Sequence, residues 1–177
     1  MATYDPDLLD AIEGLPAADW QGPVWRHMFN DYTPERINTN GARWNPPGVG
    51  AIYTALSRDT ALAEGQHAVD VQPRRTYARR VLYEVEAKIH GLVDLTAPEA
   101  LTQVGLTLDD IPSDDHAACQ RIGGATAWLE RGGLLVPSAR AAGQNLVILV
   151  GSQGLEDDLV VLRPGLITGR SWRGGGS

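Results

Sequence analysis

Residues 78–95 read Ala-Arg-Arg-Val-Leu-Tyr-Glu-Val-Glu-Ala-Lys-Ile-His-Gly-Leu-Val-Asp-Leu, and their alternation sets the fold class. Val81, Tyr83, Val85, Ala87 and Ile89 fall on one face, with Arg80, Glu84, Glu86 and Lys88 mostly on the other. A two-residue period this long predicts a half-buried strand, because successive side chains leave a strand on opposite sides. Shorter elements lie outward from it. Upstream, residues 51–55 (AIYTA) predict a buried strand, and Ser57 is placed to cap a helix over 58–69. Residues 20–29 predict another strand around Val24 and Met28, and residues 5–14 a short helix opened by Asp5-Pro6 and stopped at Gly14. Downstream, residues 114–131 predict one or two helices broken near Gly123-Gly124, and residues 134–136, 146–150 and 159–162 predict strands. Short helices among irregularly spaced strands predict an α+β fold, a mixed β-sheet core with flanking short helices.

The 177 residues suit one compact domain, taken here as 1–170, and the closing SWRGGGS (171–177) reads as a flexible appended linker. Charged residues are 21% and hydrophobic residues 43%, an ordinary globular balance. The net charge of −7 disfavours direct nucleic-acid binding, where phosphate contacts dominate affinity. One cysteine, Cys119, excludes an internal disulfide and a four-cysteine zinc site. The four histidines have no metal-ligand spacing, so no metal is expected. No apolar run approaches the ~18 residues of a membrane helix, and the acidic N-terminus lacks a signal pattern. The chain reads as soluble and cytoplasmic.

Chemistry concentrates in and after the loop of residues 31–50, rich in Asn, Pro, Gly and Arg. Loops near 20 residues inside a compact domain are more often functional than idle. Within it, Gly41-Ala42-Arg43-Trp44-Asn45-Pro46-Pro47-Gly48 combines prolines that fix φ with glycines that release it, which reads equally as a shape that aims one arginine at a phosphate or as a turn-rich connector with a surface arginine. Glu64 lies in a helix otherwise lined by Ala and Leu, and reads either as a solvated surface glutamate, the more usual fate of a single Glu, or as a carboxylate beside the packed face that needs a partner or a ligand. His27 follows Arg26 on an apolar strand. The arginines at 74, 75, 79 and 80 read as a solvated strand end or a protein contact, and the acidic run from Asp109 to Asp115 as a helix N-terminus.

The stretches at 41–48, 51–53, Ala61-Leu62-Ala63-Glu64 and Leu134-Leu135-Val136-Pro137-Ser138-Ala139-Arg140 together closely resemble the RES domain. The family takes its name from an Arg, a Glu and a Ser, matched by Arg43, Glu64 and Ser138, and the resemblance runs over roughly 20–162. One departure is Ala42, where the family often has a second glycine. The resemblance implies a fold similar to ADP-ribosyltransferase toxins and a bacterial toxin that consumes NAD+, paired with an Xre-type helix-turn-helix antitoxin. NAD+ is then a substrate, and no cofactor is implied. It also implies assembly into symmetric multimers, alone or with the antitoxin.

Cleaving the nicotinamide–ribose bond passes through an oxocarbenium-like state, which an anionic group stabilises. Glu64 is the candidate for that charge, and Tyr53 for an aromatic surface that orients the substrate. Arg43 first and Arg26 second are candidates for the pyrophosphate, with a hydrogen bond from His27. Ser138 is placed either to bond substrate or to hold the arginine loop, and Asn145 is a weaker candidate from the same side of the sheet. Water or phosphate accepts ADP-ribose in the leading reading. Transfer to a protein side chain is the alternative, and a non-catalytic interaction module is the alternative from another class.

Overall fold

The computed structural model describes residues 3–30, 32–72 and 78–151, together with the backbone of 158–167. In chain order the elements are α1 (Pro6–Glu13), β1 (Ala17–Phe29), β2 (Gly50–Ala55), α2 (Arg58–Val71), β3 (Arg80–Asp94) and α3 (Pro98–Gln103). A single turn of 3-10 helix (Leu108–Asp110), α4 (Ala117–Trp128), β4 (Gly133–Pro137), β5 (Gln144–Val150) and β6 (Asp158–Ile167) follow. The fold is α+β with a mixed sheet, as the sequence predicts. Arg74, Arg75 and the tail at 171–177 lie outside the described residues.

The strands are hydrogen-bonded in the order β1-β2-β5-β4-β3-β6, and β1 also pairs with β3 along nearly its whole length. Because Trp25 of β1 pairs with Ala55 of β2, the path β1-β2-β5-β4-β3 closes on itself. Among the described residues only β3–β4 is parallel, over Leu92–Asp94 against Gly133–Leu135; the other pairings are antiparallel. Strand β3 therefore carries β1 on one edge, and β6 then β4 on the other.

That position explains its alternation. Val81, Val85, Ala87 and Ile89 are buried while Lys88 is exposed. Val85, Ala87, Ile89 and Leu92 pack with Val24, Ile52, Leu146 and Ile148 in one core cluster. A second, larger cluster lies between the helices and the other strand faces, built from Ile12, Leu101, Leu106, Ile111 and Ile122 against Leu134, Val136 and Val147.

Caps act as read. Asp5 accepts from the Asp7 N–H at the start of α1, and Ser57 accepts from the Thr60 N–H at the start of α2. The acidic run serves two elements rather than one. Asp110 accepts from the Thr107 N–H to close the 3-10 turn, and Asp115 accepts from the Ala117 N–H at the start of α4.

One expectation is corrected. Residues 117–128 form a single unbroken helix, and Gly123-Gly124 do not interrupt it. Both glycines are there for close approach. A Cβ on Gly123 would lie 1.5 Å from the Trp44 carbonyl oxygen, and one on Gly124 2.5 Å from the Tyr4 hydroxyl. The helix survives because hydrogen bonding continues through glycine at a cost of about 1 kcal/mol, which packing offsets. Residues 96–113, to which the sequence reading assigned no element, contain α3 and the 3-10 turn.

An exposed helix glycine changed to alanine normally gains about 1 kcal/mol. Gly123→Ala is expected to do the reverse, losing roughly 1–3 kcal/mol or more, because helix and loop must separate. Urea denaturation reads the sign directly, and an unchanged or raised midpoint would contradict the packing described.

Candidate active site

The irregular segment 32–49 is held from inside. Asn45 is fully buried, and its side chain makes three hydrogen bonds. Its Nδ2 donates to the carbonyls of Asn38 (3.1 Å) and Val49 (2.7 Å), and its Oδ1 accepts from the Tyr53 hydroxyl (2.7 Å). The Tyr53 oxygen in turn accepts from the Trp44 N–H at 2.9 Å. Gly41 takes φ +93°, a left-handed conformation that favours glycine, whereas Ala42 at the position of the family's second glycine does not. Three contacts dock the loop on the α4 region: Trp44 against Gly123, Gln120 Nε2 donating to the Ala42 carbonyl at 2.9 Å, and Arg43 donating to the Ser113 carbonyl at 2.6 Å.

Beneath this loop is a cavity of about 990 Å³, large enough for a dinucleotide-sized ligand. Arg26, His27, Tyr53, Glu64 and Asn145 all line it, so the structure brings five of the seven candidates to one wall. Arg43 and Ser138 are not among its lining residues. Ser138 Oγ donates to Glu64 Oε1 at 2.6 Å, and Asn145 Nδ2 donates to the same oxygen at 2.9 Å. Glu64 is thus a carboxylate pinned by two donors, not a solvated helix residue. Ser138 also accepts from the Arg140 and Ala141 N–H groups, which shapes its own turn. Among the described residues its side-chain bonds run to Glu64 and to that turn, and none runs to the arginine loop. Arg43 is half-buried beside Ala42, a lining residue. Its guanidinium lies within the electrostatic reach of Arg140, Cys119, Glu64 and Asp114.

The electrostatics follow from burial. Arg26 is only 8% exposed, donates to the Pro34 carbonyl, and is pushed down to about 10 by desolvation, so it stays cationic at neutral pH. Burial also lowers Arg43, helped by the like charge of Arg140. Desolvation raises Tyr53 well above the usual phenol range, and its hydroxyl already donates to Asn45. Tyr53 therefore presents a ring and not an acid. Burial pushes the Cys119 thiol up to about 11, which leaves it protonated and a poor nucleophile. Among the described residues, no group of three or more His, Cys, Asp or Glu is arranged to hold a metal ion, and no helix is long and apolar enough to cross a membrane.

Sequence reasoning undervalued three residues. Asn45 stood inside a quoted motif with no role, although an Asn before Pro-Pro in a shaped loop is a signal for side-chain-to-backbone bonding. Gln120 anchors the loop from α4, and its place in a segment similar to the family assigned it no role. Arg80, read as a solvated strand end or protein contact, is instead half-buried, and it donates to His27 Nε2 (2.9 Å) and Gln66 Oε1 (3.2 Å). A period-two reading places it at the edge of the polar face but does not reveal which helix covers that edge.

Known proteins resemble the chain closely. NAD(+) phosphorylase MbcT of Mycobacterium bovis is 33% identical over 150 residues, which cover 78% of this chain and 79% of that protein. MbcT of Mycobacterium tuberculosis matches with the same figures. The crystal structure of the M. tuberculosis MbcT–MbcA toxin–antitoxin complex superposes with a TM-score of 0.82 at 28% identity, covering 93% of each chain. The RES domain family matches residues 9–164, and with the loop, the strand and the paired Glu64–Ser138 in place, the chain belongs to the RES domain family.

Proposed function

We propose that this protein cleaves the nicotinamide–ribose bond of NAD+ and passes the ADP-ribosyl group to inorganic phosphate, acting as the toxin of a toxin–antitoxin pair. The observation that carries the reading is the cavity wall, where Glu64, pinned by Ser138 and Asn145, shares one concave surface with the buried cation Arg26 and with Tyr53. The 33% identity to proteins named as NAD(+) phosphorylases supports the same reaction.

The steps balance simply. The bond from the ribose anomeric carbon to the pyridinium nitrogen breaks, and its electron pair leaves with nicotinamide, which becomes neutral. A phosphate oxygen then bonds to the anomeric carbon. Positive charge develops on the ribose in between, and the Glu64 carboxylate stabilises it. Because Ser138 and Asn145 hold that carboxylate before substrate arrives, little reorganisation is left for the transition state. Arg26 and Arg43 take the pyrophosphate, His27 adds a hydrogen bond, and the Tyr53 ring orients the nicotinamide end. The partner is an antitoxin of the Xre helix-turn-helix type, which silences the toxin in cytoplasm, and symmetric assembly accompanies that pairing.

Incubating the purified protein with NAD+ alone and with added phosphate tests the acceptor. Nicotinamide release that rises with phosphate, and ADP-ribose phosphorylated at its anomeric carbon, are expected. Release that instead needs a protein acceptor would make the enzyme a protein ADP-ribosyltransferase, and no release at all would make the chain a non-catalytic module.

Glu64→Gln keeps shape and removes charge. It is expected to lower kcat strongly, roughly a hundredfold or more, with NAD+ affinity by calorimetry little changed. Affinity falling with kcat intact would move the charge-stabilising role elsewhere. Arg43→Ala is expected to leave a folded protein whose cleavage is down by roughly a hundredfold. Near-normal turnover in that folded variant would remove Arg43 from the site.

A further inference from the structure

The segment from Tyr32 to Arg36 borders the cavity and carries an arginine to which neither the motifs nor the steps above give a role. Tyr32 and Arg36 both line the cavity, as does Arg26 of β1. The Arg36 guanidinium lies over the Tyr32 ring, its Cζ 3.6 Å from the centroid. Three hydrogen bonds tie the segment down. The Tyr83 hydroxyl of β3 donates to the Tyr32 carbonyl at 3.2 Å, Arg26 donates to the Pro34 carbonyl, and the Arg36 N–H donates to the Thr33 carbonyl at 3.2 Å. Tyr32 is 44% exposed and Arg36 is exposed as well, so the pair sits where the cavity opens to solvent. Among the described residues, the Arg36 guanidinium donates no hydrogen bond and joins no ion pair.

We infer that Arg36 is a further phosphate-binding residue at the mouth of the cavity, and that Tyr32 is the residue that positions it. An aromatic ring under a guanidinium takes up one of its faces and leaves the edge, with its five N–H donors in one plane, for a ligand. A phosphate group offers oxygens at the spacing that edge matches two at a time. Because the ring holds the side chain before the ligand arrives, less rotamer freedom is lost on binding. Arg26 leaves that task open, since it is only 8% exposed and already gives a hydrogen bond to the Pro34 carbonyl. The two arginines are also close enough to oppose each other. Burial first, then the like charge of Arg36 against the attraction of Glu35, sets the Arg26 guanidinium below its ordinary range. Like charges lining one cavity are relieved when an anion enters between them. That shared wall separates the pair from an ordinary surface stack. The phosphate is either the pyrophosphate of NAD+ or the inorganic phosphate acceptor, and only this choice of ligand rests on the NAD+ reading.

Steady-state kinetics on the full chain, with NAD+ and inorganic phosphate varied separately, distinguishes the two sources. Arg36→Ala is expected to raise one KM by roughly tenfold or more with kcat changed far less. Whichever KM rises names the phosphate that Arg36 holds, and both KM values unchanged would overturn the inference. Arg36→Lys keeps the charge without the planar fork and is expected to fall between wild type and Arg36→Ala. Tyr32→Leu is expected to raise the same KM by a smaller factor, while Tyr32→Phe, which keeps the ring, restores the wild-type value. Tyr32→Leu indistinguishable from wild type would overturn the positioning role. Both side chains are exposed, so the fold tolerates these changes, and circular dichroism checks it. A binding arm needs no turnover. Calorimetry with inorganic pyrophosphate and with inorganic phosphate is expected to show at least one of them bound roughly tenfold more weakly by Arg36→Ala. If the wild type leaves NAD+ intact but that loss is seen, the proposed function fails and the phosphate site stands. If NAD+ is cleaved and Arg36→Ala matches wild type in both arms, the site fails and the function stands.

Discussion

A buried primary amide must find its hydrogen bonds inside the protein, and much of this structure follows from where Asn45 finds them. Leaving its donors unpaired would cost about 1–3 kcal/mol. They are met by two carbonyls of its own loop, and its oxygen is met by Tyr53 on β2. Loop and sheet are thereby joined at a point from which water is excluded. Because Tyr53 also accepts from Trp44, the residue beside Arg43 is held to the same strand. Trp44 in turn presses its carbonyl on the bare backbone of Gly123. An irregular segment with almost no regular pairing, apart from a bridge between Asn38 and Ala51, thus keeps one shape.

Glu64 shows the same economy with charge. A half-buried carboxylate requires donors, and both come from elements far away in sequence: Ser138 from the turn after β4, and Asn145 from β5. These donors converge on one oxygen of a carboxylate that lines the cavity. Across the wall, Arg26 is more deeply buried and gives a hydrogen bond to the Pro34 carbonyl, so a cation also supports the loop that roofs the site. Opposite charges thus line one cavity, each held by neutral donors or acceptors.

Several features were legible from residue pattern alone. The alternation of 80–90 reappears as β3, and the Asp5 and Ser57 caps sit where their side chains permit. Each is local chemistry, decided within one or two turns of chain. Gly123-Gly124 were misread because a helix glycine has two physical meanings, a break or a close approach, and only the neighbour that approaches tells them apart. Arg80 was misread for a related reason, since an arginine at a strand edge is solvated unless a helix happens to cover it.

The sequence by itself determined the strands, the helices α1 and α2, the shaped loop around Arg43 and the family to which its motifs belong, since periodicity, capping and proline–glycine constraints act between near neighbours. Tertiary structure alone decided which side chains share a wall. Arg26, Tyr53, Glu64 and Asn145 meet because β1, β2 and β5 are neighbours in a sheet that closes on itself and α2 lies against it. Ser138 became a support for Glu64, and Arg80 a support for His27, through contacts spanning 74 and 53 residues. Hydrogen bonds need atoms within about 3 Å, and over such separations only the folded chain sets that distance.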